Sequence, residues 1–386
     1  MTSQQSSLMN TYHRSPITFV RGEGSWLYDD QGKGYLDFLG GLAVVAIGHA
    51  HPAVAAAVQK QMDTLVHVSN LFTTEPMGLL ADRLTSISGL DQVFFSNDGA
   101  TANEAAMKLA RRHGQKHFGP DCFEIVSLAG SFHGRTLATL AATGQPQKQA
   151  MFQPLPPGFK QVEAGNIETL RRTVDEHTAA VMLETVQAEG GVVPLADDYL
   201  AAVRTLCDET ETLLIIDDVQ AGIGRTGEWY SWQSTGIIPD IATSAKALAN
   251  GLPIGACLAT ERVASAFAPG DHGSTFGGGP VVCAAALAVL DIIENDRLLE
   301  NCRARSDQLR HELALLKGVK HVRGKGLLLA AQLESDRASE VAKAALEEGL
   351  VVNAVLPDAI RLTPPLSVTA DEVAAGIDRL RKALGR

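Results

Sequence analysis

The sequence predicts an α/β protein with a large, mostly parallel α/β domain and a smaller α+β domain. Three observations lead there. Residues 213–217 (LLIID) form an apolar run that stops abruptly at an acid, and residues 179–184 (AAVMLE) do the same, which is the pattern of strands covered on both faces. Residues 93–95 (VFF) pass through a glycine turn into helical periodicity, a strand–turn–helix unit. Beyond residue 317, short strand candidates alternate with helical stretches, which makes a second, smaller unit. A chain of 386 residues is long enough for both.

In chain order, residues 17–21 and 26–29 flank Gly22-Glu23-Gly24, a hairpin signal, and residues 30–34 form a second turn before a strand at 35–39. Pro52 suits the first turn of a helix whose apolar stripe is Val54, Ala57, Val58 and Met62. His49 and His51 precede it, but no further ligand stands at helical spacing, so no metal site is expected. A helix at 102–112 and a strand at 124–128 follow. Residues 144–166, rich in Gln, Pro and Gly, read as a long surface loop. Helices are expected at 282–295, 296–316, 339–348 and 370–384, with strands at 322–332, 351–354 and 360–362.

Hydrophobic residues make up 45% and charged residues 20%, which describes a soluble globular chain. The net charge of −11, with no basic tract, argues against nucleic acid or an anionic membrane as partner. Five scattered cysteines without CxxC spacing suit a reducing, cytoplasmic compartment. The first residues, MTSQQSS, lack the features of a secretory signal, and no 18-residue apolar run offers a membrane span.

Ligands of open α/β sheets bind beyond the carboxyl ends of the strands, where Asp217, Asp218 and Gln220 fall. A single lysine, Lys246, follows the run DIATSA at a distance of 246 − 217 = 29 residues, enough for the chain to return to the same sheet edge. An acid at one strand end and an isolated lysine at another suit pyridoxal-phosphate (PLP) chemistry. The lysine forms a Schiff base with the cofactor aldehyde, and the acid keeps the ring nitrogen protonated. Any one lysine–aspartate pair, taken alone, is usually a surface lysine and a helix-capping acid. The turn Ser96–Ala100 is an anion site in form, because free amides and the helix dipole point at a ligand; it is equally an ordinary turn with Asp98 as N-cap. Gly222-Ile223-Gly224-Arg225-Thr226-Gly227 satisfies GxGxxG, but no long helix follows it, so a dinucleotide site is rejected.

The words DDVQAGIGRTG, PDIATSAKALANGLPIGA and HGSTFGGGP change the balance, because together they resemble the class III (ω-amino acid) aminotransferases. The resemblance runs from about Tyr12 to Pro365. It implies the PLP-dependent aminotransferase fold type I, with a large domain at 46–290 and a small one built from 1–45 and 291–386. It implies that Lys246 and Asp217 are catalytic, and that Gly99, Ala100, Phe132, Asp218, Val219, Gln220 and Thr275 help to bind the cofactor. Arg135 and Ser274 are then substrate residues, and Glu189 and Arg361 form a pair that opens for 2-oxoglutarate and closes for a donor whose amine is terminal. The loop at 269–280 is expected to reach a neighbouring subunit's site in a homodimer.

The donor implied is N2-acetyl-L-ornithine. Succinylornithine, N-succinyl-diaminopimelate, 4-aminobutyrate, ornithine or a carrier-bound lysine are alternatives within the class, and a non-catalytic binding module is an alternative outside it. The chain departs from the family pattern at Asp98, Thr101, Thr185, Ala188, Asp218, Ala221 and Gly279. Asp98 stands where the family usually has Ser or Thr, in the turn that would hold the phosphate, and two charges about 5 Å apart repel by roughly 3 kcal/mol at an effective dielectric near 20. Either Asp98 turns away to cap the helix or the cofactor is held more weakly.

Overall fold

The computed structural model describes residues 7–386. Three strands come first: β1 (Phe19–Glu23), β2 (Trp26–Asp29) and β3 (Gly34–Asp37). The large sheet follows, from β4 (Gln92–Ser96), β5 (Glu124–Leu128), β6 (Phe159–Val162) and β7 (Thr178–Leu183). After a two-strand ribbon, β8 (Val186–Gln187) and β9 (Val193–Pro194), it continues with β10 (Leu213–Asp217), β11 (Ile241–Ser244) and β12 (Gly255–Ala259). The remaining strands are β13 (Val319–Lys325), β14 (Leu328–Leu333), β15 (Leu350–Val351), β16 (Asn353–Leu356) and β17 (Ala359–Leu362).

The large sheet has the order β4-β12-β11-β10-β7-β5-β6. Its ladders are parallel from β11 through β6, and β12 alone runs against both of its neighbours. Every residue of β7, β10, β11 and β12 is buried, so these strands carry apolar residues on both faces. Alternation then sorts the side chains. Leu214 and Ile216 enter one core cluster with Leu200, Val203 and Leu206 of the helix Asp197–Glu209. Leu213 and Ile215 enter a second, beneath Ala105, Ala106 and Leu109 of the helix Gly99–Phe118. Ligand-bearing loops therefore emerge from the carboxyl ends of strands whose positions are held from both sides.

The chain ends meet at a second sheet, β1-β2-β3-β15, in which β15 pairs in parallel with β3 through Leu350 and Leu36. A third sheet, β13-β14-β17-β16, is antiparallel throughout. The helix at Ala370–Leu384 has the expected limits and starts with a capping box of Thr369 and Glu372.

Three expectations are corrected. The stretch at 144–166 is not all loop: β6 adds to the sheet edge with Ile125 opposite Phe159, a pairing its proline-rich flanks gave no hint of. Residues 322–332 are not one strand but two, β13 and β14, which fold back at Gly326, where φ is +56°. The helix expected at 102–112 extends from Gly99 to Phe118 because Asp98 caps it. The helix Pro52–Thr64 buries none of its residues fully. Val54 and Val58 pack against the core, whereas Met62 is 54% exposed.

Ile216 is fully buried in β10, directly before Asp217. Ile216→Ala is expected to destabilise the chain by about 3 kcal/mol, whereas Ile216→Val costs about 1 kcal/mol. Denaturant midpoints of the two variants test this, and equal midpoints would show that β10 is not held by packing.

Candidate active site

A cleft of about 370 Å³ opens at the carboxyl ends of the parallel strands, within the range of small-ligand sites. Strand ends supply its lining: the turn after β4 gives Gly99 and Ala100, the loop after β5 gives Phe132 and Arg135, β7 leads to Glu184, β10 ends at Asp217, and β11 leads to Lys246.

The turn after β4 opens a 20-residue helix. The amides of Gly99 and Ala100 lie in its first turn, so they have no intrahelical acceptor, and both residues face the cleft. A Cβ on Gly99 would fall 2.6 Å from Val219 Cγ1, so glycine is what lets Val219 pack beneath the cradle. Asp98 caps the helix. Its Oδ1 accepts from the Thr101 amide at 2.8 Å, and Thr101 Oγ1 accepts from the Asp98 amide at 3.1 Å. The carboxylate is thus engaged as the helix cap, while Asp98 still lines the cleft at the rim of the free amides. Thr101 fills the reciprocal half of the box.

Asp217 is buried and fully engaged. Its Oδ2 accepts from Asn103 Nδ2 at 2.7 Å and from His133 Nδ1 at 2.8 Å, and its Oδ1 accepts from the Val219 amide at 3.1 Å. Asn103 is held in turn by Thr243, whose hydroxyl donates to Asn103 Oδ1 at 2.7 Å. His133 Nε2 is buried without a partner among the described residues. The expected site residues did not include Asn103 or His133. Asn103 lies one helical turn past Gly99, on the buried face, and His133 lies inside the Phe132–Arg135 word, so their positions were the available signal.

Lys246 follows β11 with φ +42°, a left-handed conformation that costs a non-glycine residue energy and directs its side chain into the cleft. It makes no hydrogen bond or ion pair among the described residues. Burial holds its ammonium below the ordinary 10.5, an effect that Glu189 partly opposes. Glu184, also unassigned from the sequence, accepts from the Phe132 amide at 2.9 Å and the Ala188 amide at 3.3 Å. Burial pushes its carboxyl up to about 7, partly opposed by His133.

Arg361 on β17 is 1% exposed and ion-paired with Glu189. It also donates to Gln220 Oε1 at 3.1 Å and to Asn353 Oδ1 at 3.2 Å. The pair is closed, and Gln220 links it to the cleft wall. Arg135 lines the cleft with its guanidinium 5.6 Å from the centre of the Phe132 ring.

One residue expected at this cleft lies elsewhere, and two expected at a neighbouring subunit's site lie apart from it. The Asp218 side chain turns away from the cleft, as alternation after Asp217 requires, and binds the amide and hydroxyl of Ser231. Burial pushes its carboxyl up to about 7. Ser274 and Thr275 do not reach Lys246 of their own chain. Ser274 Oγ accepts from the Gly277 amide at 2.9 Å, and Thr275 lines a separate groove with His67 and Asn70.

Residues 8–384 match the family model for class-III aminotransferases. The chain belongs to the class III aminotransferases. It is 46% identical to an acetylornithine aminotransferase of Gloeobacter violaceus, across 100% of this chain and 98% of that protein. The crystal structure of an ornithine aminotransferase from Toxoplasma gondii superposes with a TM-score of 0.94 at 30% identity, covering 98% of this chain and 92% of the other. An N-acetylornithine aminotransferase from Stenotrophomonas maltophilia gives 0.85 at 34% identity, covering 97% of each. Class III aminotransferases are PLP-dependent transaminases, and so is this chain. Its own residues fit that cofactor. One cleft holds free helix amides for a phosphate, a fully oriented buried carboxylate for a ring nitrogen, an aromatic ring and an unpaired lysine.

A carboxyl raised in the folded state contributes stability that is full below its unfolded pKa and is lost as pH rises through the folded value. For Glu184 that window runs from 4.5 to about 7, and for Asp218 from 3.8 to about 7. The unloaded protein should therefore lose thermal stability as pH rises from about 4.5 to about 7 and level off above that, with a shallower loss in Asp218→Asn and Glu184→Gln. Melting curves across that range test it, and a slope unchanged in both variants would refute the assignment.

Proposed function

We propose that this transaminase moves the terminal amine of N2-acetyl-L-ornithine to 2-oxoglutarate. The observation that carries the reading is the pair of arginines. Arg135 is free at the cleft, whereas Arg361 is closed by Glu189. A donor with a distal carboxylate and a terminal amine takes Arg135 and leaves Arg361 neutralised. An α-keto acid needs Arg361 for the carboxylate beside its reacting carbon, so Glu189 turns out in the second half-reaction. The full-length identity to acetylornithine aminotransferases supports this donor over other ω-amines.

PLP, when bound, supplies the electron sink for the bond broken at the amine-bearing carbon. The remaining work falls to the chain. Lys246, whose neutral amine burial favours, takes the proton from that carbon and returns it as general base and acid. Asp217, fixed by Asn103 and His133, keeps a proton on the ring nitrogen. Gly99 and Ala100 would hold the phosphate through their amides, Phe132 would offer its face to the cofactor ring, and Val219 and Gln220 would complete the wall.

Ser274 and Thr275 then serve a second copy's site, in a homodimer. Support comes from neither residue lining the chain's own cleft, and from exposed apolar residues nearby: Met62 and Phe276 line a groove that shares Asn97 and Pro253 with the cleft, and Phe72 lines the Thr275 groove, which shares His67 and Gly279 with that one. The parallel pairing of β3 with β15 supports a small domain drawn from 1–45 and 291–386, beside a large one at 46–290. Five unpaired, buried cysteines support a cytoplasmic location, and no described helix is long and apolar enough to cross a membrane.

Lys246→Ala should remove the borohydride-reducible cofactor linkage and lower turnover by about three orders of magnitude or more. Added alone, N2-acetylornithine should bleach the cofactor's visible band in the wild type; bleaching only by a different ω-amine would overturn the substrate. Asp98→Ser keeps a helix cap but removes a carboxylate at the cradle's rim. It should tighten PLP binding by about threefold to tenfold, since exposure screens most of the repulsion. Titration of the unloaded protein followed by fluorescence measures that, and weaker binding would show that Asp98 helps the cradle.

A further inference from the structure

Lys148 has no role in the scheme above. It lies on the short helix Pro146–Gln149, and its Nζ is 5.8 Å from the centre of the Phe132 ring. The Arg135 guanidinium is 5.6 Å from the same ring. Two cations thus share one aromatic platform at the cleft, and neither has a carboxylate partner among the described residues. Glu189, the acid whose field reaches Lys148, is committed to Arg361. Lys148 is also anchored. Its Nζ donates to Gln145 Oε1, and Gln145 Nε2 donates to the carbonyls of Ser131 at 3.2 Å and Gly130 at 3.4 Å. Burial, with Arg135 adding to it, holds the Lys148 ammonium below its ordinary range. The two cations repel one another, and an anion that meets both relieves that repulsion.

We propose that Lys148 and Arg135 form a two-cation seat for the substrate carboxylate farthest from the reacting carbon, which makes Lys148 a specificity-determining residue. This rests on the reading of Arg135 given under Proposed function. A carboxylate has two oxygens and about four acceptor sites, so it can serve the planar fork of Arg135 and the point charge of Lys148 together. An amine with a neutral or cationic tail leaves both cations uncompensated and is rejected. The distal carboxylate of 2-oxoglutarate takes the same seat, so both half-reactions depend on it.

Glutarate, a dicarboxylate without a keto group, isolates the seat from the chemistry. In calorimetric titration of the holoenzyme, Lys148→Gln should weaken glutarate binding by about tenfold, and Lys148→Arg should restore it to within about threefold of wild type. Raising salt from about 50 to about 300 mM should weaken glutarate more in the wild type than in Lys148→Gln. Binding in Lys148→Gln within twofold of wild type, or no recovery in Lys148→Arg, overturns the proposal. The wild-type response to N2-acetylornithine reads the donor separately. Normal glutarate behaviour with no response to that amine removes the donor and keeps the seat. A normal response with glutarate indifferent to Lys148 removes the seat and keeps the donor.

Discussion

The buried carboxylate of Asp217, held by Asn103 and His133, is the interaction on which the rest of the site depends. A charge taken out of water costs several kcal/mol unless it is met by donors of good geometry. Here the donors come from the helix Gly99–Phe118, from the loop after β5 and from the chain's own Val219 amide, so two other segments must converge on the end of β10. The convergence also sets distances. Asn103 and Gly99 are 103 − 99 = 4 residues apart on one helix, about 6 Å of rise, so the turn that orients Asp217 also places the free amides. Phosphate cradle and ring-nitrogen acid are spaced by one rigid turn.

The lysine is placed by different means. β11 runs beside β10 in parallel, with Asp217 opposite Thr243, and the left-handed backbone at Lys246 swings its side chain over the sheet edge. Thr243 also donates to Asn103, so the strand that delivers Lys246 is tied to the network that holds Asp217. Around this centre the acids are divided by environment. Glu189 is spent on Arg361, while Glu184 and Asp218 lie buried against amides and a hydroxyl, and burial raises both carboxyls to about 7. Arg135 is left facing the cleft, with Lys148 over the same Phe132 ring, which suits substrates that carry carboxylates.

Much of the fold was legible because its signals are local. The apolar runs of β7 and β10 and the cap of the last helix need only a few neighbouring residues to declare themselves. β6 was not legible, because an edge strand of four residues is made by its neighbour β5 and not by its own pattern. In the site, Lys246, Asp217 and the glycine turn were legible from residue type at strand ends. Asn103, His133, Glu184 and Lys148 were not. Nothing in the type of a buried asparagine or a half-buried lysine says which distant group it will meet.

By itself the sequence determined the α/β class, the lysine and acid at the ends of strands, and the glycine turn, since each follows from periodicity and short-range chemistry. Only the tertiary structure decided that Asp98 turns to cap its helix, that Asp218 faces Ser231 and not the cleft, and that Ser274 and Thr275 lie apart from their own chain's Lys246. It alone decided, too, that Glu189 closes on Arg361 while Arg135 and Lys148 have no carboxylate partner among the described residues. The physical reason is one of range. Hydrophobic periodicity and capping act over a few residues, whereas the pairing of charges depends on which strand ends the sheet order brings together.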